Sequence, residues 1–304
     1  MSERKEKNDS FFGWCAEVFL WLGDWIVYFV EKCFEYFSRK DNIQLSENPQ
    51  TSEESEVIDW ENQDIETTIA AAKQGNPEAQ FYLAGCYYWG DGVAANYEEA
   101  VKWYSLAAQQ NILGAQVGLG NCYYNGEGVP KSYDQAVKLY RQAAEQGHPE
   151  AQNNLGECYY AGEGVPEDNA EAVKWFSLSA GQGYSIAQVN LGDCYYFGNG
   201  VPQNYEKAAD FYRQAAEQNN AEGQSNLGEC YRDGEGVIED AEEAVKWFNL
   251  AVKQDNSYAQ KNLGLCYYCG YGVELDMAKA RELIELAAAQ ENEEAIKLLE
   301  DLEF

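Results

Sequence analysis

The chain has 304 residues and a formal net charge of −31, because 52 acidic side chains stand against 21 basic ones. A field of this sign repels phosphate backbones and anionic lipid, so we expect no nucleic-acid partner and favour proteins with basic surfaces. The acidic residues also keep an exposed protein soluble, which is the alternative explanation of the charge. Hydrophobic residues make up 45% of the chain, enough for a packed interior, which excludes wholesale disorder.

The first element in chain order is an apolar, aromatic segment at residues 11–37, for which we predict a helix within residues 1–40. Its acidic residues recur every seven positions and mark one polar stripe: Glu17, Asp24 and Glu31. Ten Phe, Leu, Ile or Val residues in 11–30 favour membrane insertion by roughly 3 to 6 kcal/mol, and two central acids offset most of that gain. Three interpretations stay open: a membrane anchor, a helix that packs on protein, or a flexible segment. We expect a cytoplasmic protein, with membrane association if this helix inserts.

Residues 41–58 are rich in Ser, Glu, Asn and Gln, and they predict a flexible acidic linker. From there one sequence string returns six times at intervals of 36 residues without insertion. The string starts at Ala79, Ala115, Ala151, Ala187, Gly223 and Ala259. So strict a period predicts a stack in which each unit contacts only its neighbours, here over residues 59–304. We expect a half-unit at 60–74, six units from about 76 to 291 and a capping helix at 293–304.

Each unit predicts two helices. In the first, Ala79, Leu83 and Cys86 fall on one stripe, and Gly90 and Gly92 end the helix in a tight loop. The second begins at a residue type that caps helices well, at Asn96, Ser132, Asp168, Asn204, Asp240 and Asp276. Glu or Gln three residues later predicts a capping box in four units, at Glu99, Gln135, Glu171 and Glu243.

Six of the nine cysteines occupy one position per unit, where we expect small buried apolar groups: Cys86, Cys122, Cys158, Cys194, Cys230 and Cys266. Cys266 and Cys269 have the spacing of half a zinc site, but no second pair completes a tetrahedron. His148 is the only histidine and precedes Pro149, which predicts a helix start instead of a catalytic base. We therefore expect no catalytic residue, no metal, no cofactor and no enzymatic activity.

The pattern A-x-x-x-L-G-x-x-Y-x-x-G-x-G-V, followed by a polar cap, A-x-x-W and A-A-x-Q-G, resembles the Sel1-like repeat over about residues 60–304. That family is a relative of the tetratricopeptide repeat. The resemblance implies an all-α, right-handed superhelical solenoid of antiparallel helix pairs whose concave face binds proteins or peptides. It implies no shared catalytic site. A secreted branch of similar proteins joins its units with disulfides, but the corresponding regions here hold alanines, such as Ala107 and Ala115.

Positions 78, 81, 85 and 89 vary between units while their neighbours repeat, and they share one side of the first helix. We predict that this stripe lines the concave, partner-binding surface, aromatic near the amino end and acidic later. The predicted residues are Phe81, Trp89, Val117, Asn121, Asn125, Glu157, Val189, Asp193, Phe197, Glu229 and Asp233. Exposed aromatic side chains commonly anchor protein interfaces, whereas variable positions can also be unconstrained surface.

Asparagines recur at 36-residue intervals at Asn154, Asn190, Asn226 and Asn262. They predict either a ladder that clamps a peptide backbone or, as we favour, hydrogen bonds between the loops of neighbouring units. The primary hypothesis for function is a scaffold or adaptor that binds partner proteins or peptides with basic residues on its concave face. The alternatives are a membrane-tethered assembly factor, through residues 11–37, and a repeat-borne hydrolase.

Overall fold

The computed structural model describes Trp60 and residues 63–302. The predicted N-terminal helix at 1–40 and the acidic linker at 41–58 lie outside the described residues. Across the described part, the regular elements are fourteen α-helices. None of these helices is long and apolar enough to cross a bilayer.

The helices follow one another at nearly regular intervals. In chain order they are α1 (Ile65–Lys73), α2 (Pro77–Trp89), α3 (Tyr97–Gln109), α4 (Leu113–Asn125), α5 (Tyr133–Ala144), α6 (Pro149–Ala161), α7 (Asn169–Ala180), α8 (Ser185–Phe197), α9 (Tyr205–Glu217), α10 (Ala221–Asp233), α11 (Ala241–Val252), α12 (Ser257–Cys269), α13 (Met277–Ala289) and α14 (Glu293–Asp301). Consecutive helices pack on one another along the whole series. The predicted all-α solenoid of helix pairs is therefore confirmed.

Even-numbered helices from α2 to α12 are the first helices of the six units, and odd-numbered helices from α3 to α13 are the second. Within a unit, a small residue on the first helix receives a ring from the second. A Cβ atom on Gly120 would lie 2.5 Å from the ring of Tyr140, and one on Gly228 would lie 2.6 Å from the ring of Phe248. Even alanine is thus too large there, which explains why helix-weakening glycine occupies the position.

Contacts between units depend on the second glycine of each loop. Gly200 has a φ of +73°, and a Cβ there would lie 2.2 Å from the carbonyl oxygen of Asn169 at the start of the preceding unit's second helix. At Gly236 the corresponding distance, to the carbonyl oxygen of Tyr205, is 2.0 Å. The loop therefore lies directly on the backbone of the preceding unit. Its second glycine has a left-handed backbone conformation, and there is no room for a side chain at that residue.

The second helices begin at the six predicted caps, which is confirmed by a hydrogen bond from the third helical N–H to each cap side chain. These bonds are made by Asn96, Ser132, Asp168, Asn204, Asp240 and Asp276. The predicted capping box is wrong, however. The N–H of Asn96 donates to the carbonyl of Tyr87 at 2.8 Å, and Glu99 instead pairs with Lys102 at 3.0 Å. Because the last turn of the first helix already accepts the cap N–H, the glutamate is left to bind a lysine.

A buried glutamine of the first, third and fifth units bonds the end of the second helix that precedes it. The amide of Gln152 donates to the carbonyl of Ala144 at 3.1 Å, and its own oxygen accepts from Gln182 at 2.7 Å. The same pairing of glutamines recurs at 80 and 110, 188 and 218, 224 and 254, and 260 and 290. Such bonds satisfy carbonyls at the end of a second helix that the helix itself leaves unpaired.

The repeated cysteines are buried, as predicted, with at most 5% of any one of them exposed. Burial raises the pKa of the Cys122, Cys158, Cys194 and Cys230 thiols to about 12. A thiol held so far from ionisation is a poor nucleophile and a poor metal ligand, so these cysteines act as core residues.

Replacing Gly200 by alanine should therefore destabilise the stack more than replacing Gly183. Both glycines have positive φ, +73° and +85°, but a Cβ at Gly183 would meet no atom within 4 Å. The left-handed backbone alone should cost about 1–2 kcal/mol in Gly183→Ala. Gly200→Ala should cost about 2–4 kcal/mol, because the loop must also move away from Asn169.

The free energy of unfolding, from urea denaturation followed by circular dichroism, distinguishes the two variants. Equal losses of stability in the two variants would show that loop docking on the preceding unit contributes nothing beyond backbone conformation.

Candidate functional site

Successive first helices lie side by side along the stack. The amide of an asparagine on one first helix donates to a side chain on the preceding first helix. We call the side that these helices form the first-helix face and define it by the positions equivalent to 78, 81, 85 and 89. Three predicted aromatic residues are exposed on it: Phe81 by 38%, Trp89 by 79% and Phe197 by 64%. Asn125, Glu157 and Asp233 are also exposed, and Asn121, Asp193 and Glu229 are half-buried.

Two predicted face residues are instead part of the core. Val117 is only 2% exposed and packs with Ala151 and Leu155 of the next unit, and Val189 is only 1% exposed. The prediction that both present themselves to a partner is therefore wrong. The side chain at this position points toward the next first helix, and only in the first unit, at Phe81, does it stay substantially exposed.

The repeated asparagines join neighbouring first helices. Each donates its amide to the residue at position 85 of the preceding unit: Asn154 to Asn121 (3.2 Å), Asn190 to Glu157 (3.1 Å), Asn226 to Asp193 (3.4 Å) and Asn262 to Glu229 (2.6 Å). The structural interpretation of these asparagines is confirmed, although the bonds join helices instead of loops. The bonds also fix one oxygen of each carboxylate on the first-helix face.

A second set of bonds between units was not foreseen from the sequence. Tyr88 donates its hydroxyl proton to Glu127 of the next loop at 2.6 Å, and Tyr124 and Tyr196 donate likewise to Glu163 and Glu235. The signal was present, since a tyrosine at one position and an acid at another recur with the same period. Burial, together with the nearby carboxylate, raises the pKa of all three tyrosines, so they remain proton donors.

An aromatic depression lies at the amino end of the first-helix face. It is lined by Phe81, Tyr88, Trp89, Tyr104, Gly114, Val117, Gly118, Asn121, Asn125, His148 and Glu150. His148 caps α6 as predicted, accepting the N–H of Ala151 at 3.4 Å, and burial lowers its pKa. It therefore contributes a neutral imidazole to the depression at neutral pH.

The surface continues into a polar depression between α4 and α8. Asn121 and Glu150 line both depressions, so the two are joined. The second also contains Tyr140, Asn153, Asn154, Glu157, Tyr184 and Ile186. These two adjoining depressions form a groove that is aromatic near α2 and more polar near α8.

A third depression, formed by α8, α10 and α12, is acidic with aromatic walls. Its lining residues are Asp193, Tyr196, Phe197, Tyr212, Glu222, Ser225, Asn226, Glu229, Asn256 and Tyr258. Burial raises the pKa of Asp193 from 3.8 to about 6, against the effect of the Tyr212 hydroxyl bond and together with repulsion from Glu222 and Glu229. Glu222 and Tyr258 stand at position 78 of their units, in the same varying stripe, and could have been included from sequence.

Asp233 contributes less than its sequence position suggested. Both of its carboxylate oxygens bind the guanidinium of Arg232, at 2.6 and 2.7 Å. Asp233 also lies outside the three depressions. Internal pairing therefore neutralises the predicted acidic residue at this place.

A separate depression lies near the second helices α3 and α5, lined by residues that include Ser105, Asn111, Gln116, Leu139 and Gln146. Here Asn111 binds Gln146, at 2.9 Å, and diverts it from the glutamine pairing seen in the other units. The oxygen of Gln116 is left buried and without a partner among the described residues.

Comparison with known proteins places these features in a family. The model of the Sel1 repeat matches residues 77–112, 114–148, 149–184, 185–220, 221–256 and 257–292. A solved protective antigen present in uropathogenic Escherichia coli strains, which displays an SLR fold, is 38% identical with a TM-score of 0.67, covering 77% of this chain and 50% of that one. The chain thus spans half the length of that relative.

A Sel1 repeat protein from Oxalobacter formigenes is 34% identical with a TM-score of 0.66, covering 74% of this chain and 97% of that chain. The comparison with curated proteins found no match. Sel1 repeat proteins generally mediate protein–protein interaction, and their solenoid is typically a non-enzymatic scaffold. With six matched repeats that coincide with the six helix pairs, this chain belongs to the Sel1 repeat family.

Proposed function

We propose that this protein is a scaffold that binds partner proteins or peptides on its first-helix face. The observation that carries the proposal is the exposure of large aromatic side chains on this face, above all Trp89, which is 79% exposed and lines the aromatic depression. An aromatic ring left in water at the edge of a depression gains free energy when a partner covers it. Trp89 is not needed to fill the core, because Asn125 and Ala161 occupy its position in the next two units.

The charge of the face suggests the kind of partner. Glu157, Asp193 and Glu229 follow one another along successive first helices, and none of them forms an ion pair with a lysine or arginine of the described chain. Such a row attracts basic side chains and repels acidic ones. We therefore favour a partner segment that carries basic residues together with an apolar anchor, in extended or helical form.

We extend this proposal to an adaptor role, in which the protein binds one partner and presents it to a second partner. A tether to the membrane through residues 11–37 would make the protein an assembly factor at that surface. Fractionation of the whole chain with and without residues 1–40 separates the tethered form from the untethered one.

Peptides selected from a random displayed library on the whole protein should depend on Trp89. Trp89→Ala should weaken the binding of selected peptides by about 2 kcal/mol, or roughly thirtyfold in Kd, because the anchor ring is lost. Fluorescence anisotropy of labelled peptides measures this change.

Leu178→Ala is the matched control, since Leu178 is an exposed apolar residue on α7, a second helix. Its Kd should equal that of the unaltered chain. If selected peptides lose affinity in the control variant and keep it in Trp89→Ala, the binding surface is not the first-helix face.

The stability of Asp193→Asn independently tests whether the negative charge of Asp193 contributes to folding or is available to a partner. Burial raises the pKa of Asp193 to about 6 in the folded chain against an ordinary value of 3.8, so its ionisation destabilises the fold. This loss of stability is absent at pH values below the unfolded-state pKa and complete at pH values above the folded-state pKa. Asp193→Asn should therefore stabilise the fold by about 1–3 kcal/mol at neutral pH and by little near pH 4.

Urea denaturation at several pH values measures this difference. Glu217→Gln is the control, because Glu217 is exposed at the end of α9 and lines none of the three depressions of the first-helix face. A loss of stability in Asp193→Asn at neutral pH would contradict this prediction, because it would mean that the ionised carboxylate stabilises the fold.

A further inference from the structure

The acidic depression formed by α8, α10 and α12 contains a buried hydroxyl with no partner. Ser225 is 1% exposed, and its Oγ forms no hydrogen bond within the described part of the chain. Leaving a buried hydroxyl unpaired costs free energy. The cost is avoidable in this fold, because Val117 and Val189 occupy the same position in other units. Ser225 also lines the depression, so its hydroxyl is an acceptor that the described chain leaves unused.

Three carboxyl groups line the same depression, and each has an oxygen available. Oδ1 of Asp193 accepts from the hydroxyl of Tyr212 at 2.6 Å and from Asn226 at 3.4 Å, whereas Oδ2 has no bond from the described residues. Oε1 of Glu229 accepts from Asn262 at 2.6 Å, and Oε2 is likewise available. No described lysine or arginine forms an ion pair with Asp193, Glu222 or Glu229, although Arg232 lies near enough to Glu229 to attract its charge.

Aromatic rings complete the depression. Phe197 is 64% exposed and Tyr258 is 58% exposed, and both line it. Phe197 meets the ring of Tyr196 edge to face, with the ring centroids 4.9 Å apart, so its position is fixed. Aromatic faces attract cations and also pack against the methylene groups of long basic side chains.

We propose that this depression binds the side chain of a lysine from a partner protein. The ammonium group has three donors in a compact head, which suits an unpaired serine oxygen and two free carboxylate oxygens. The methylene stem would lie between Phe197 and Tyr258. The planar, wider guanidinium of arginine matches paired carboxylate oxygens better than this mixed set of acceptors.

This inference rests on the proposed function and makes it specific, because it names the residue type and the place on the first-helix face. It differs from a general attraction between a chain of charge −31 and any basic peptide. A general attraction weakens equally whichever carboxylate is removed. Binding in the depression depends on Ser225, which carries no charge.

The test uses the whole chain and two labelled probes, tetralysine and the same peptide with every lysine side chain acetylated. At about 0.15 M salt, where screening reduces non-specific attraction, the protein should bind tetralysine at least about tenfold more tightly than the acetylated probe. Asp193→Asn and Ser225→Val should each weaken tetralysine binding by about tenfold. Valine is compatible with this position in two other units, so Ser225→Val should stay folded, as circular dichroism can verify.

Glu217→Gln removes one negative charge away from the depression and should leave the affinity for tetralysine unchanged. Lowering the pH from about 7.5 to about 5 should weaken binding, since Asp193 becomes protonated. The charged and titratable groups near Asp193 are Tyr212 on α9 and Glu222 and Glu229 on α10. Burial raises the pKa of Tyr212, which stays protonated in this range, and burial also raises the pKa of Glu222, whose protonation changes binding in the same direction as that of Asp193.

Unchanged affinity in Ser225→Val, or an equal loss in Glu217→Gln and Asp193→Asn, would overturn the proposal. Tighter binding of tetra-arginine than of tetralysine would also overturn it. If library peptides depend on Trp89 while tetralysine binding ignores Asp193, this inference fails and the proposed function stands. If tetralysine depends on Asp193 and Ser225 while no library peptide depends on Trp89, the wider groove function fails and the lysine site stands.

Discussion

The stack depends on the close approach of backbone to backbone that glycine alone permits. In the loops of the second to sixth units, one glycine lies so near the preceding unit that a Cβ would fall far inside van der Waals contact with its backbone: 2.2 Å from a carbonyl oxygen at Gly200 and 2.0 Å at Gly236. In each unit from the second to the fifth, another glycine lets a ring of the second helix rest on the first. These contacts hold each unit on the one before it, with the paired glutamines and asparagines adding directional bonds.

The acidity of the protein has several separate uses. Asp168, Asp240 and Asp276 cap helices, and Glu127 and Glu163 accept tyrosine hydroxyls from neighbouring units. These acids are parts of the fold, so their number says little about a partner. A separate set on the first-helix face, Glu157, Asp193 and Glu229, forms no ion pair with a described lysine or arginine, and this set carries the functional argument. The net charge alone does not distinguish the acids that stabilise the fold from those on the first-helix face.

The proposed lysine site follows from comparing the residues that the six similar units place at one position of the repeat. Position 81 is valine at Val117 and Val189 and a polar residue with a bonded partner at Asn153 and Lys261, whereas Ser225 is buried there without a partner. Where the fold accepts valine, a buried serine without a partner has no structural purpose in the described chain. The repeat thus supplies its own reference for what each position needs, and a departure from it marks a place where another requirement applies.

The period of 36 residues determined the helix pairs, the caps of the second helices and the burial of the cysteines, because these features depend on spacing within one unit. The repeated asparagines also predicted bonds between units, but tertiary structure decided which side chains the neighbouring unit covers. Sequence placed Val117 and Val189 on the open face, but the neighbouring helix buries both. It paired Glu99 with a cap N–H that the carbonyl of Tyr87 already occupies. The sequence specifies which side of a helix a residue lies on, whereas the distance to the next unit determines whether that side meets protein or water.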